Sequence, residues 1–349
     1  MAFENLTERE RRVLGNLIEH YIQSADPVGS RVLAHKFQMG VSSATVRNTL
    51  QDLEELGLVE QPHTSAGRVP TDLGYRVYVD YLLKPEVLTE DEKRSIKEEM
   101  LRAGRGVKEI LGQTARILGD VTNQLGVSIA PRFESGTLRD IRLIPVAEGR
   151  LMVVVIVESG LAKSLILEIE SNISLPVIQD VETSLNQRLR GLTLSEIRQT
   201  IQERMADVSG SARLIQMVVD SKDRIWSESS SDDYSIAGKE NLLMMPEFSR
   251  REELLRMLRV LEDGSVLSEF LGRAPNEDLV ITIGRENLIR EVINCSLVTA
   301  SYKVGNIHGA VGIMGPTRMP YSKAVSIVEY TARSITEVLA GIEQEANRS

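Results

Sequence analysis

The stretch that decides the reading of this chain is SSATVRNTLQDLEELGLVEQPHTSAGRVPTDLGYRVYVDYLL, residues 42–83. Ser42 or Ser43 opens a helix as its N-cap, and Gly57 closes it. At about 100° per residue, Val46, Leu50 and Leu53 fall on one face. Ala44, Arg47, Asn48 and Gln51 fall on the opposite face, with Thr45 at its flank. Arginine reads guanine, asparagine and glutamine read adenine, and small Ala and Thr side chains approach a thymine methyl, so the second face suits the edges of bases. LVEQ and GRV then read as two short strands around His63-Thr64-Ser65-Ala66-Gly67, and a further helix runs from Thr71 to Leu83.

Upstream, Thr7 and Glu10 form a T-x-x-E capping box. Leu14, Leu17, Ile18 and Tyr21 follow at helical spacing, and Asp26-Pro27 stops that helix. Ser30 opens a short helix, RVLAHKF, and Met39-Gly40 turns the chain into the helix just described. Helix, short helix, turn, longer helix and strand hairpin is the order of a winged helix-turn-helix. The first 83 residues hold more acids than bases, which at first counts against DNA, but the acids cluster on the first helix and late in the third. From Ser30 to Gln51 there is no Asp or Glu, and Arg31, Lys36 and Arg47 are present. From Gln61 to Thr71 there is again none, with His63 and Arg68 present. These are the two stretches a winged helix lays on a duplex. Arg31, His63 and Arg68 are the expected phosphate contacts, with Thr64 and Ser65 at the wing tip and hydroxyl or helix N-terminal amide contacts from Ser30, Ser42 and Ser43.

Downstream, KPEVLTEDEKRSIKEEM from Lys84 reads as a linker turning into helix, and a second helical stretch runs from about Val107 to Leu125. Residues 138–170 read as three strands turned at Glu148-Gly149 and Ser159-Gly160. Residues 173–272 are mostly helical around one polar loop, SESSSDDYSIAGKEN. Strands return in DLVITIG, CSLVTASYKVG and HGAVGIMG, before a last helix carrying Val325, Val328, Ala332, Ile335, Leu339 and Ile342. Strands, helices, then strands again imply an α+β class, one domain holding a helical insertion.

Bulk properties bound the function. A chain of 349 residues exceeds one ordinary core, and 42% hydrophobic residues allow most of it to pack. A net charge of −9 argues against coating nucleic acid indiscriminately but leaves room for a locally positive docking face. The single cysteine, Cys295, excludes an intrachain disulfide and suits a reducing, cytoplasmic setting. LMVVVIV, residues 151–157, is the longest apolar run and far short of a bilayer span. His20, His35, His63 and His308 have no metal-ligand spacing, and GNIHGAVGIMGP lacks the Lys-Ser/Thr of a phosphate-cradling loop. No enzyme, cofactor or metal is expected.

ATVRN, DLEELG, QPHTSAGR-PT and GYR-YVD, followed by LNQRLRGLTLSEIR, CSLVTA, GIMGPTRMPY and VEYTA, closely resemble the heat-inducible transcription repressor family, HrcA, over nearly the whole chain. The resemblance implies a winged helix-turn-helix, a GAF-like α/β domain and an inserted, largely helical dimerisation domain. Combined with the chain order, it gives a DNA-binding domain at 1–83, a linker and helix at 84–104, a GAF-like domain in two parts at 105–172 and 273–345, and the dimerisation insertion at 173–272. It further implies a homodimer that binds an inverted-repeat operator, the CIRCE element, in double-stranded DNA, represses chaperone operons and depends on the GroE chaperonin. Ser43 stands where the family often has proline, and Thr49-Leu50 where Glu-Met is usual.

Two other readings stay open on sequence: a regulator gated by a metabolite in the GAF-like domain, and a chaperonin-associated protein whose winged helix docks protein. For dimerisation, the expected seam is an apolar helical face, either Ile197, Ile201 and Met205 or the run from Leu254 to Leu261, with the last helix packed on its own sheet.

Overall fold

The computed structural model describes residues 6–63, 66–103, 106–131, 133–169, 173–208, 212–226, 234–262, 278–287 and 289–346. Thr64 and Ser65, the 227–233 part of the polar loop, the 272/273 boundary and the side chain of Ile342 lie outside the described residues. The chain divides into two compact units: Met1–Ser128 with Tyr234–Ser301 and Ala310–Ala332, and Ile129–Asp233 with Tyr302–Gly309 and Arg333–Ser349.

In the first unit, α1 (Glu8–Ser24) starts at a complete Thr7/Glu10 capping box and ends where Ala25 takes a left-handed conformation. Next come α2 (Ser30–Lys36), α3 (Ser43–Glu55), β1 (Val59–Glu60), β2 (Val69–Pro70) and α4 (Asp72–Val77), the last continued by a π-helical turn over Tyr78–Leu82. Val13, Leu14, Leu17, Ile18, Leu33, Val46 and Leu53 are fully buried and form the core of this head. Arg68 pairs with Val28 through two backbone hydrogen bonds of 2.9 Å, so the wing gains a third strand-like edge from the chain before α2.

The remainder of the first unit is mixed α/β. Helices α5 (Glu90–Leu101) and α6 (Val107–Thr122) precede β3 (Leu125–Ile129). A five-stranded sheet has the order β7-β3-β10-β9-β8, with β7 at Tyr234–Ala237, β8 at Leu279–Ile283, β9 at Cys295–Val304 and β10 at Ile307–Pro316. Two of these strands correct the sequence reading. Leu125 opens a strand where the reading continued a helix, and Tyr234–Ala237 is a strand inside the expected polar loop. The last helix (Tyr321–Ala346) buries Val325, Val328, Ala332, Ile335 and Leu339.

The second unit holds a separate sheet, β4 (Leu138–Ala147), β5 (Arg150–Val157) and β6 (Ala162–Glu168), antiparallel throughout. Its turns fall where Gly149 and Gly160 supply positive φ. One face packs on α7 (Leu175–Leu189), α8 (Leu194–Met205), α9 (Ala212–Asp220) and α10 (Lys222–Ile225), with Trp226 in the shared core. The side chains of α7 also close the β4 edge. The Asn186 amide accepts from Ile141 N and donates to Ile141 O, both at 2.8 Å, and Glu182 accepts from Leu143 N at 2.8 Å. The cut expected at 172/173 is therefore misplaced, because strands 138–168 share one core with helices 175–225. One expected dimer seam is also corrected. Ile197, Ile201 and Met205 are buried within the chain, which leaves that helical face no apolar stripe to share; on the other, Met257, Val260 and Leu261 are buried, Leu254 and Leu258 half-buried and Leu255 42% exposed.

Candidate nucleic-acid interface

Helix α3 presents the two faces its sequence encodes. Val46, Leu50 and Leu53 are buried, Thr49 joins them with its hydroxyl donating to Thr45 O at 3.2 Å, and Ala44, Arg47, Asn48 and Gln51 are exposed. Ser42 is the N-cap: its Oγ accepts from Thr45 N at 3.2 Å and lies 3.0 Å from Thr45 Oγ1. Ser43 is the first helical residue and, like Thr45, is half-buried. The cap uses one donor of the first turn and leaves others at the positive end of the helix dipole, next to the base-reading face. Beside it, Ser30 is the first residue of α2 and Arg31 is exposed. Lys36 Nζ lies 2.9 Å from His20 Nδ1 and 5.8 Å from the Phe37 ring centroid, and burial followed by the Lys36 charge lowers the His20 pKa.

Arg68 is placed differently from the other wing residues. Its Nη2 and Nε donate to Glu54 Oε2 at 2.7 and 3.1 Å, and its side chain is only 20% exposed. Arg68, an expected phosphate contact, here forms a brace between the wing and the end of α3. Sequence spacing could not reveal it, because the partner lies on another element, fourteen residues earlier. His63 is exposed, as expected for a wing contact.

Two further wing residues carry signals the sequence reading passed over. Gln61 Nε2 donates to Ala66 O at 3.1 Å and closes the base of the tip. Thr71 Oγ1 donates to Gly57 O at 2.7 Å and accepts from Gly74 N at 3.0 Å, joining the turn after α3 to the cap of α4. Gly67 is fixed by closeness: a Cβ there would come within 2.4 Å of Val28 backbone atoms.

Outside this surface, Cys295 is buried, and burial pushes its thiol pKa up to about 12, which leaves an unreactive thiol. Among the described residues no group of three His, Cys, Asp or Glu side chains is arranged to hold a metal, and no helix is long and apolar enough to cross a membrane.

Comparison with known proteins gives a consistent set of likenesses. Residues 5–80 match the family described as the winged helix-turn-helix transcription repressor, HrcA DNA-binding, and residues 108–325 match the HrcA protein C-terminal domain. A heat-inducible transcription repressor HrcA of Chlorobium chlorochromatii is 37% identical over 97% of this chain and 99% of its own length. Those of Chlorobaculum tepidum and Pelotomaculum thermopropionicum are 39% and 34% identical, each over 98% of this chain and 99% of their own. A crystal structure of a hypothetical protein solved at 2.2 Å matches with a TM-score of 0.62 at 24% identity, covering 97% of this chain and all of that one, a likeness of fold.

Proposed function

The chain belongs to the HrcA family of heat-inducible transcription repressors, and from that premise we propose that it represses chaperone operons by binding the inverted-repeat CIRCE operator as a dimer, with its activity maintained by the GroE chaperonin. The observation that carries the reading is the exposed row Ala44, Arg47, Asn48 and Gln51 on a helix whose other face is locked into the head. In this docking mode the N-terminal part of the helix enters the major groove. Arg47, Asn48 and Gln51 read base edges, Ala44 and Thr45 approach a thymine methyl, and Ser30, Arg31, Ser42, Ser43 and His63 hold the backbone, with Thr64 and Ser65 at the wing tip. Arg68 acts one step back, keeping the wing in register with the reading helix.

The mixed α/β part is the GAF-like domain, and the sheet-and-helix unit built from residues 129–233 is the dimerisation insertion. An apolar sheet face in the latter supports this. On the side of the sheet away from α7–α10, Ile144 is paired with Met152 and Met152 with Ile166. Ile144, Val146 and Ile166 are 41, 45 and 50% exposed. A second copy of the same sheet would remove that surface from water by isologous packing.

The test is fluorescence anisotropy with a labelled inverted-repeat duplex and a scrambled duplex over a salt series, with and without chaperonin. Binding that prefers the repeat and weakens steeply with salt supports the repressor, and a gain on adding chaperonin places the regulation at this step. A folded protein without preference under any condition refutes it.

A further inference from the structure

Two stretches of the first unit are not absorbed by DNA reading: Asp72–Asp80 at the end of the head, and the segment 315–322, GPTRMPYS. The structure brings the residues of each to a partner across the junction between the head and the five-stranded sheet. Arg76 spans three acceptors. Its Nε donates to Glu286 Oε1 at 2.8 Å, its Nη2 donates to Glu286 Oε2 and to Ile281 O, the latter at 2.7 Å, and its Nη1 reaches Asp80 at 3.1 Å. The hydrogen bonds and charge of Glu286 outweigh desolvation and raise the guanidinium pKa. Asp72 accepts from Arg285 N at 3.0 Å, and a Cβ at Gly284 would sit 2.3 Å from its carboxylate.

The second tie is Arg318. Its Nη1 donates to Ile22 O at 2.5 Å while its Nε donates to Glu247 Oε1 at 2.7 Å. Ile22 lies in the last turn of α1, which has no basic residue of its own. Arg318 therefore supplies, from the body, the cation that the negative end of the α1 dipole lacks. Nearby the Tyr75 and Tyr321 rings pack 5.8 Å apart, and Glu86 N donates to Ser322 O at 3.1 Å. A crevice of about 540 Å³, lined by Arg11, Gly15, Glu19, Tyr78, Lys84 and Ser322, adjoins these contacts, so the head is held by discrete polar ties beside open space.

We propose that Arg76 and Arg318 are positioning residues that fix the angle of the DNA-reading head on the sheet domain and thereby set the half-site spacing that the dimer accepts. Each reading helix of a dimer is connected to its twin through every joint of both chains. Two charged forks, one on α4 and one reaching the last turn of α1 from the body, remove the freedom of one such joint. Neither arginine belongs to the surface that touches DNA. The inference rests on the dimeric operator-binding reading above.

The experiment measures affinity for inverted repeats carrying zero, five or ten inserted base pairs between half-sites, and for an isolated half-site. Five base pairs rotate one half-site by about half a turn and ten restore its phase. With fixed heads, the native chain is expected to lose at least about a hundredfold on the five-base-pair insertion, because simultaneous engagement fails. Removing both partners of each tie, Arg76→Met with Glu286→Gln and Arg318→Met with Glu247→Gln, is expected to reduce that penalty to about tenfold or less. Isolated half-site affinity is expected to stay within about twofold of native. Arg76→Lys keeps the charge but cannot serve Glu286 and Ile281 O together, so its penalty is expected to fall between the two. The Arg76/Glu286 pair alone gives the same direction should the four-fold variant not fold. A spacing profile identical to native, or a loss that follows half-site affinity in step, overturns the inference while leaving the repressor reading intact. A native chain with no preference for inverted repeats removes both.

Discussion

Replacing Arg47 by alanine separates base reading from mere attraction. Arg47 is exposed on α3, opposite Val46, Leu50 and Leu53, and no carboxylate pairs with it among the described residues. Alanine is the best helix former, and a surface change of this kind stays within about 0.5 kcal/mol of native stability. What is lost is the contact with DNA. A bidentate arginine–guanine pair discriminates by about 1–3 kcal/mol. Two heads on one operator double this to about 2–6 kcal/mol, or about thirtyfold to twenty-thousandfold in operator Kd. On scrambled DNA only one charge per head is missing, which lowers the salt slope by about 0.9 per phosphate contact. Anisotropy titrations of both duplexes at three salt concentrations, with a denaturant melt of the same sample, read all of these quantities. Equal fold-losses on operator and scrambled DNA would refute the base-reading role and make Arg47 a backbone contact. A stability loss beyond about 1 kcal/mol would refute the claim that it serves nothing inside the fold.

Arg68→Ala should cost the head about 1 kcal/mol, since the Glu54 partner is partly solvated, and should leave the salt slope on scrambled DNA unchanged, because a brace neutralises no phosphate; a slope lowered by about 0.9 per head would restore it to the DNA surface. Gly74→Ala sets two effects against each other: helix propensity favours alanine by about 1 kcal/mol, but the new Cβ would lie 2.0 Å from Leu58 O. The backbone clash wins, so the denaturant midpoint should fall; a rise would show that the turn yields freely. Ile144→Glu with Ile166→Glu should turn the dimer into a monomer in sedimentation velocity without loss of helical signal, and an unchanged dimer would move the interface elsewhere. The Cys295 thiol, raised to about 12, is favoured in its neutral form by the fold. Its contribution is complete below the unfolded value of about 8.5 and is lost as pH rises through the folded one. The native chain should therefore resist alkylation at pH 8 and react on unfolding, while rapid native labelling would contradict its burial.

The head was the legible part of this molecule because its instructions are local. The Thr7/Glu10 box, Ser42, the Val46–Leu50–Leu53 stripe and the turn residues each act within one turn of helix or one hairpin. The glycines of the 138–168 meander were equally plain, since each meets a positive φ. What the sequence could not carry was partnership. Alternation along β4, β5 and β6 gives a buried face but not the sheet that owns it, and the meander was assigned to the wrong neighbour. Leu125–Ile129 begins only two residues after α6 ends at Thr122, where Leu125 still falls on the apolar spacing of the helix, so the start of a five-residue strand was read as the end of a helix. Tyr234–Ala237 is four residues in a serine-rich loop and becomes a strand through pairing with β3, 105 residues back at its nearest ends. Arg68 had the composition of a phosphate ligand and the geometry of a brace.

The bond from Arg76 to the Ile281 carbonyl has a consequence beyond geometry. Ile281 lies on β8, LVITI, the outermost strand on its side of the sheet, and a strand margin of that composition is a template for adhesion between molecules. The head doubles as a guard for that margin. Release of the head at that joint would bare the β8 margin to any neighbouring molecule that could add a strand to it.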